Sequence, residues 1–262
     1  MRIALTGASG ILGGFLLEAA RSSGHNVVTL GGDMPWRLGQ PVDLTGFDAL
    51  IHAAFAHQPG RYRGGEGDDP QGFIAANLTG TLRLWQDSRA VPRRLFVSSR
   101  AVFDALPAGT PLEEARSPAP ASLYGRVKAE AEAALLAEGG AVLRATGLYG
   151  PGKAGEKWRP LFAQAESGRT PAPRRAGEVH AADTARAALM ILEAEASGAF
   201  HASDLLLDRR QLIAARAEAI GRPLPLPAAD EAPVSLLDCR RLKSLGWRPG
   251  GWPQLGATLA GL

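Results

Sequence analysis

A chain of 262 residues, 45% hydrophobic and 21% charged, can bury a full core as one large α/β domain or as a domain with a small lobe. Its formal net charge is only +3, and the arginine pairs at 93–94, 174–175, 209–210 and 240–241 are scattered, so no basic stripe with interleaved aromatics argues for nucleic-acid binding. The single cysteine, Cys239, excludes an internal disulfide and a zinc spacing and fits a reducing cytoplasm, and no run of about 18 apolar residues exists to span a membrane.

Residues 2–6 (Arg-Ile-Ala-Leu-Thr) read as a short buried strand, and 11–22 as a helix with Leu12, Phe15, Leu16 and Ala19 on its inner face. Gly7, Gly10 and Gly13 interrupt this apolar N-terminus, and Glu18 and Arg21 follow, so it is not read as a secretion signal. The turn between strand and helix is Thr6-Gly7-Ala8-Ser9-Gly10-Ile11-Leu12-Gly13. Its first glycine permits a tight turn, the second lets backbone approach a pyrophosphate, and the third lets helix and strand pack closely. The helix N-terminus adds N–H groups and a partial positive charge. Gly7, Ser9, Gly10, Ile11, Leu12 and Gly13 are therefore candidates to hold a dinucleotide, the alternative being a turn that serves packing alone.

Residues 26–30 read as the second strand. An acid at its end would bind a ribose diol, but Gly31 stands there, with Asp33 the nearest acid. Arg37 could meet a 2′-phosphate; NAD is preferred over NADP because no arginine lies in the glycine turn or at the strand end. Asp43-Leu44 could hydrogen-bond an adenine, or Asp43 could simply cap a turn. A third strand at 48–54, a helix at 72–88, a fourth strand at 94–98, a helix carrying Tyr124 and Lys128 to about 136, and a strand at 141–145 follow. Strands alternating with helices imply an α/β fold with a doubly wound parallel sheet, whose right-handed crossovers put the C-terminal strand ends on one edge. Past Tyr149-Gly150-Pro151-Gly152 the pattern loosens: 151–175 read as an irregular segment bordering a cleft, 179–194 as a strand end and helix, and 198–202 as a strand. The tail from 206 holds a helix, a proline-rich linker at 223–227 and a last short helical region. The expected organisation is a dinucleotide-binding domain at 1–150, its sheet completed by about 176–202, with 151–175 and 203–262 forming a small C-terminal substrate-binding lobe.

Tyr124-Gly-Arg-Val-Lys128 stands out because both residue types are scarce: tyrosine occurs at 62, 124 and 149, lysine at 128, 153, 157 and 243. A spacing of four on a helix places the phenol and the ammonium on one face. The alternative readings are a solvated helix pair, and a Ser98-Ser99 that merely ends a strand.

With Thr6–Gly13 and Tyr124–Lys128 stand Asp43-Leu44, His52-Ala53-Ala54, Asn77, Val97-Ser98-Ser99 with Val102-Phe103, Leu143-Arg144, Leu148-Tyr149-Gly150-Pro151 and Val179-His180-Ala181-Ala182-Asp183. Arg241-Leu242-Lys243-Ser244-Leu245-Gly246-Trp247-Arg248-Pro249 closes the series. On these motifs the chain resembles an extended short-chain dehydrogenase/reductase, in the NAD-dependent branch of sugar-nucleotide epimerases, dehydratases and dTDP-4-dehydrorhamnose-type reductases. The resemblance implies a Rossmann fold and catalytic Ser99, Tyr124 and Lys128. Tyr124 would be the general acid or base, Lys128 would also bond the nicotinamide ribose, and Ser99 would hold the reacting oxygen. A phenol titrates at about 10; a unit charge about 4 Å away at an effective dielectric of 20 is worth roughly 4 kcal/mol before desolvation, enough for Lys128 to favour the phenolate.

The resemblance further implies cofactor contacts from Asp43, Leu44, Ala53, Ala54, Phe55, Asn77, Ser98, Tyr124, Lys128 and Gly147 beside the glycine turn. Ser99, Arg100, Tyr149, Trp158, Arg174 and His180 become substrate candidates, His180 being equally readable as a capping or core histidine. NAD or NADP as cofactor, a small-molecule substrate, no metal, and a homodimer through the helices of Asn77 and Tyr124 complete the expectation. Arg100 and Ala101 stand where a dehydratase carries acids, which disfavours dehydration; the stretch between the second and third strands is short and the lobe is small. The implied reaction is hydride transfer between nicotinamide and a secondary alcohol or ketone carbon of a sugar or sugar nucleotide. The alternatives are reduction of a non-sugar carbonyl compound and a catalytically idle cofactor sensor.

Overall fold

In the computed structural model, which describes residues 1–58 and 64–262, the strands in chain order are β1 (Arg2–Thr6), β2 (Asn26–Leu30), β3 (Ala49–His52), β4 (Arg93–Ser99), β5 (Ala141–Ala145), β6 (Gly147–Tyr149), β7 (Arg175–His180), β8 (Gly198–Ala202) and β9 (Leu205–Asp208). The helices are α1 (Gly13–Ser22), α2 (Pro70–Ile74), α3 (Gly80–Asp87), α4 (Leu123–Ala137), α5 (Arg159–Glu166), α6 (Ala181–Glu193), α7 (Arg209–Ala219), α8 (Arg240–Ser244) and α9 (Gly251–Ala260). Six strands form a parallel sheet in the order β2-β1-β3-β4-β5-β8. Their Ile, Val, Leu and Ala side chains alternate between two covered faces. Ile3, Leu5, Ile51 and Leu143 join the core under α1 and α6, while Ala4, Leu50, Phe96 and Val142 join the core under α3 and α4. Thr6, Leu30, His52, Ser99, Ala145 and Ala202 therefore end their strands along one edge.

A smaller sheet, β6-β7-β9, builds the lobe, with β6 and β7 parallel and β7 and β9 antiparallel. Tyr149, Trp158, Phe162, Leu255 and Leu259 close a separate core beneath it. This revises the expected division of strands. Only 198–202 complete the main sheet, whereas 175–180 belong to the lobe sheet. The segment 151–175 is also less irregular than expected, since it contains α5; Pro160 stands in that helix's first turn, where a missing N–H costs nothing. The helix expected at 72–88 is α2 and α3 joined by a π-helical turn, Ala75–Thr79. Between β2 and β3 there is no helix, as the short spacing implies, and β2 is an edge strand. Among the described residues no helix is long and apolar enough to cross a membrane.

α4 is tied to the sheet by a buried ion pair. Arg144 on β5 donates through Nη2 (2.7 Å) and Nε to Glu132, both side chains being almost wholly buried. Breaking such a pair leaves one charge buried alone. Glu132→Leu is expected to lower the unfolding free energy in denaturant titrations by about 3–5 kcal/mol, and adding Arg144→Met to recover most of it.

Candidate functional site

At the mouth of the sheet, β1 enters the glycine turn and α1 leaves it. Gly7 has φ +75°, and a Cβ there would stand 2.5 Å from the Ala54 nitrogen. A Cβ on Gly13 would stand 2.0 Å from the Gly7 carbonyl oxygen, so strand, turn and helix close on each other only without those side chains. Gly10 is exposed, and its nearest neighbour would be the Gly7 oxygen at 3.1 Å. Leu12, at the helix N-cap, makes no side-chain cap bond, so no side chain of its own closes the N-terminus of α1. A turn of open backbone, an uncapped helix and room at Gly10 fits a dinucleotide pyrophosphate. Leu12 itself is buried in the core and Ile11 half-buried against it, so these two contribute backbone.

The next strand end fixes the other wall. Thr6 Oγ1 accepts from the nitrogens of both Ala53 and Ala54, at 3.1 Å each, which ends β3 at His52 and turns the chain beneath the glycine turn. With its lone pairs so used, the Thr6 hydroxyl donates to His52 Nδ1 (2.6 Å), and His52 Nε2–H donates to Thr81 Oγ1 (3.0 Å). Burial pushes His52 down to about 3, with Lys128 adding to the shift, so this ring is a neutral strut. Nothing in a sequence pattern distinguishes it from an ordinary strand-end histidine.

Asn77 lies on the π-helical turn. Its Oδ1 accepts from Ala56 N (2.7 Å), and its Nδ2 donates to Ala56 O (2.7 Å) and Phe73 O (3.0 Å). Both amide N–H groups are thereby spent on backbone, so Asn77 acts by fastening the loop after β3. That loop presents Phe55 to the centre of the site. Its ring lies 5.1 Å from the Tyr124 ring, edge to face, and Lys128 Nζ sits 4.6 Å from the Phe55 centroid and 4.4 Å from that of Phe96.

Lys128 Nζ donates to Val97 O at 2.9 Å, two residues before Ser99 on β4. Ser122 caps α4 by accepting from Gly125 N (3.1 Å). A Cβ on Gly125 would lie 2.6 Å from Ala101 O, so its absence lets the Tyr124 turn of α4 abut the 3-10 turn Arg100–Phe103 that follows Ser99. Tyr124, Lys128 and Ser99 thus share one strand edge. Ser99 Oγ accepts from Ala101 N (3.2 Å), which leaves its own O–H to donate elsewhere. Ser98 Oγ is buried with no hydrogen-bond partner among the described residues, an orphaned polar atom that a bound ligand would satisfy. Burial pushes the Lys128 amine down to about 7, Glu132 opposing it.

The other expected contacts divide. Thr29 donates its N–H and its hydroxyl to Asp33, each at 2.9 Å, and these bonds hold that carboxyl below the usual range. Asp43 accepts from Thr45 N (2.9 Å), so it caps a turn in addition to whatever it meets in a ligand; Leu44 is buried in the core. His180 caps α6 by accepting from Ala182 N (3.1 Å) and is wedged against Phe15 and Tyr149. Trp158 stacks on Tyr149 at 5.3 Å, and both belong to the lobe core. Arg100 binds Asp104 (3.2 Å) and Ser235 O.

These four residues are thus committed to packing, capping or pairing within the protein, whereas Arg174 is exposed. Beside it, Lys157 pairs with Glu178, whose carboxylate stands where a Gly147 Cβ would be. Burial raises Glu178 and lowers Lys157, each opposed by the other. Arg174 acts on both members of the pair, so two cations, Lys157 and Arg174, face one carboxylate on the lobe side. Lys157 and Glu178 escape sequence reading because only the β6–β7 pairing sets Glu178 opposite Gly147. Among the described residues no cluster of His, Cys, Asp and Glu could hold a metal ion.

The sequence pattern of the NAD dependent epimerase/dehydratase family matches residues 3–202. The chain is 29% identical, over 87% of its length and 85% of the relative's, to a 3-diazoavenalumate denitrifying reductase of Streptomyces sp. In fold it is similar to UDP-glucose 4-epimerase of Thermus thermophilus, solved in complex with NAD, at TM-score 0.78 and 23% identity over 100% of this chain and 98% of the other. It is similar also to RMD from Pseudomonas aeruginosa, solved with NADPH, at TM-score 0.79 and 23% identity over 99% and 97% of the two chains.

A buried amine at about 7 has a stability signature. Between that pH and the ordinary lysine value near 10.4, the unfolded chain binds the proton and the folded chain does not, so stability rises with pH across the window. In cofactor-free protein, the melting temperature of wild type is expected to climb relative to Lys128→Met from pH 7 to 9. Parallel curves would show that Lys128 titrates as an exposed amine.

Proposed function

The chain belongs to the NAD-dependent epimerase/dehydratase family, and from that membership we propose that Ser99, Tyr124 and Lys128 perform acid–base catalysis of hydride transfer at a secondary alcohol or ketone carbon. When bound, the nicotinamide of NAD or NADP accepts or supplies the hydride. The observation that carries this reading is Lys128: an amine fixed to Val97 O under the Phe55 ring against which Tyr124 also rests. Its ammonium form favours ionisation of the Tyr124 phenol, so Tyr124 can take a proton from an alcohol or return one to a carbonyl oxygen. Ser99, with its oxygen already accepting from Ala101 N, donates its O–H to that same substrate oxygen. Glycines 7, 10 and 13 and the N-terminus of α1 hold the pyrophosphate, and Ser98 and Lys128 face the ribose side.

For the substrate we infer a sugar or sugar nucleotide. The support is the fold shared with a UDP-glucose epimerase and the excess of cations, Lys157 and Arg174 around Glu178, where an anionic group would sit. A second reading, reduction of a small non-sugar compound, is favoured by the relative named a 3-diazoavenalumate denitrifying reductase, which matches most of the chain. The exposed Ala133 and Ala137 on the outer side of α4 suit helix packing in a homodimer, which sedimentation at micromolar concentration would reveal as twice the 27.4 kDa mass. A reducing cytoplasm suits the one cysteine, buried Cys239.

Two measurements test the reading. Tyr124→Phe is expected to lower kcat by about 10²–10⁴-fold while cofactor affinity, followed by tryptophan fluorescence, stays at the wild-type value. Retained activity in that variant would remove the acid–base role and support a cofactor sensor instead. Steady-state assays of UDP- and dTDP-sugars against small ketones and aldehydes, read as change in nicotinamide absorbance, separate the substrate readings. Turnover of the sugar nucleotides alone supports the first, and turnover of the small carbonyls alone replaces it with the second.

A further inference from the structure

One cation outside the Ser99–Tyr124–Lys128 group reaches the glycine turn. Lys153 lies in a 3-10 turn, Gly152–Ala154, of the loop that leaves β6. Its Nζ donates to the carbonyl oxygen of Ser9, 2.8 Å away and 144 residues earlier in the chain. We propose that Lys153 is a pyrophosphate clamp, a cation delivered from the lobe onto the phosphates that the glycine turn holds from the other side; this rests on the dinucleotide reading of that turn.

The loop is built to deliver a charge to a fixed place. Gly150 approaches His180 and Phe15, where a Cβ would find both at 3.3 Å. Ala154 is buried, and a Cβ on Gly155 would meet Leu262 at 2.4 Å and the Gly150 carbonyl at 2.9 Å. The loop is thus anchored at Gly150 and at Ala154–Gly155, with the exposed Gly152 between them, and Lys153 carries a compact point charge on a flexible four-carbon stem. Of its three N–H donors, Ser9 O occupies one among the described residues. Ser9 and Gly10 are exposed, so the ammonium stands at the open side of the turn. A doubly charged pyrophosphate there is a far stronger acceptor than one neutral carbonyl. On binding, Lys153 moves from Ser9 O to a phosphate oxygen, or spans both. No sequence signal marks it, since Lys153 meets the turn only once β6 has brought its loop back over α1.

The test uses the intact protein and ADP-ribose, which carries the pyrophosphate without the nicotinamide, with affinity read by calorimetry and folding by thermal melting. Lys153→Met is expected to weaken ADP-ribose about ten- to hundredfold and to flatten its salt dependence, with the unliganded melting temperature unchanged. Lys153→Arg should keep most of the affinity. Lys153→Gln, which can still donate to the Ser9 carbonyl but carries no charge, should behave like Lys153→Met. Affinity retained in Lys153→Met, or restored by Lys153→Gln, overturns the clamp and leaves Lys153 a latch on Ser9. Wild-type protein that takes up no ADP-ribose overturns the dinucleotide reading along with it, whereas a normal wild-type titration with an indifferent Lys153→Met overturns the clamp alone.

Discussion

The bond from Lys128 Nζ to the carbonyl of Val97 sets the geometry of the site. It is a tie between a helix and the end of a strand, made where an amine has little water to return to. Phe96 and Phe55 close over it with their ring faces, which replace part of the lost hydration. For α4 to come near enough, Gly125 must carry no side chain, because the Ala101 carbonyl occupies that space. The same approach carries Tyr124 to the turn that follows Ser99. Ser99 on β4 and Tyr124 and Lys128 on α4 are thereby held at one edge of the sheet by close packing.

Burial of that amine shapes its surroundings. A second cation nearby would drive it further towards neutrality. His52, whose charge would act on it, is kept uncharged by burial and by Lys128 itself, while Thr6 and Thr81 occupy its two ring nitrogens. On the far side, Glu132 supports the ammonium while itself satisfied by Arg144. The charges therefore run outward from the site as Lys128, Glu132, Arg144, each desolvated and each answered by the next. Removing a member leaves a neighbour unpaired, a greater loss than the pair's net contribution would suggest.

Much of this was legible from residues alone. The glycine turn needs a strand before it and a helix after it, and both periodicities are plain in 2–6 and 11–22. Tyr124 and Lys128 share a face because a helix repeats every 3.6 residues. The lobe was less legible, for identifiable reasons. Pro160 reads as a breaker but opens α5, and β7 and β9 are short strands whose partners are distant in the chain. For Tyr149 and Trp158 the sequence points to the cleft, and for His180 it leaves cleft and cap both open. In the structure Tyr149 and Trp158 build the lobe core and His180 caps α6. The family resemblance makes Phe55 and Asn77 cofactor contacts. The structure gives them a prior duty, Asn77 fixing the loop and Phe55 covering Lys128. The π-helical turn under Asn77 has no pattern of its own in a sequence, though such turns gather at functional sites.

The central proposal is electrostatic: the ammonium form of Lys128, which the free protein holds up to about pH 7, makes the Tyr124 phenol acidic enough to exchange protons with substrate near neutral pH. Titration by NMR of protein labelled at the tyrosine ring carbons, with oxidised cofactor bound, examines it directly. The chain has three tyrosines, and comparison with Tyr124→Phe assigns the signal. The account predicts that this resonance turns to phenolate at least about one unit below the ordinary phenol value of 10. A midpoint at or above 10 would contradict it.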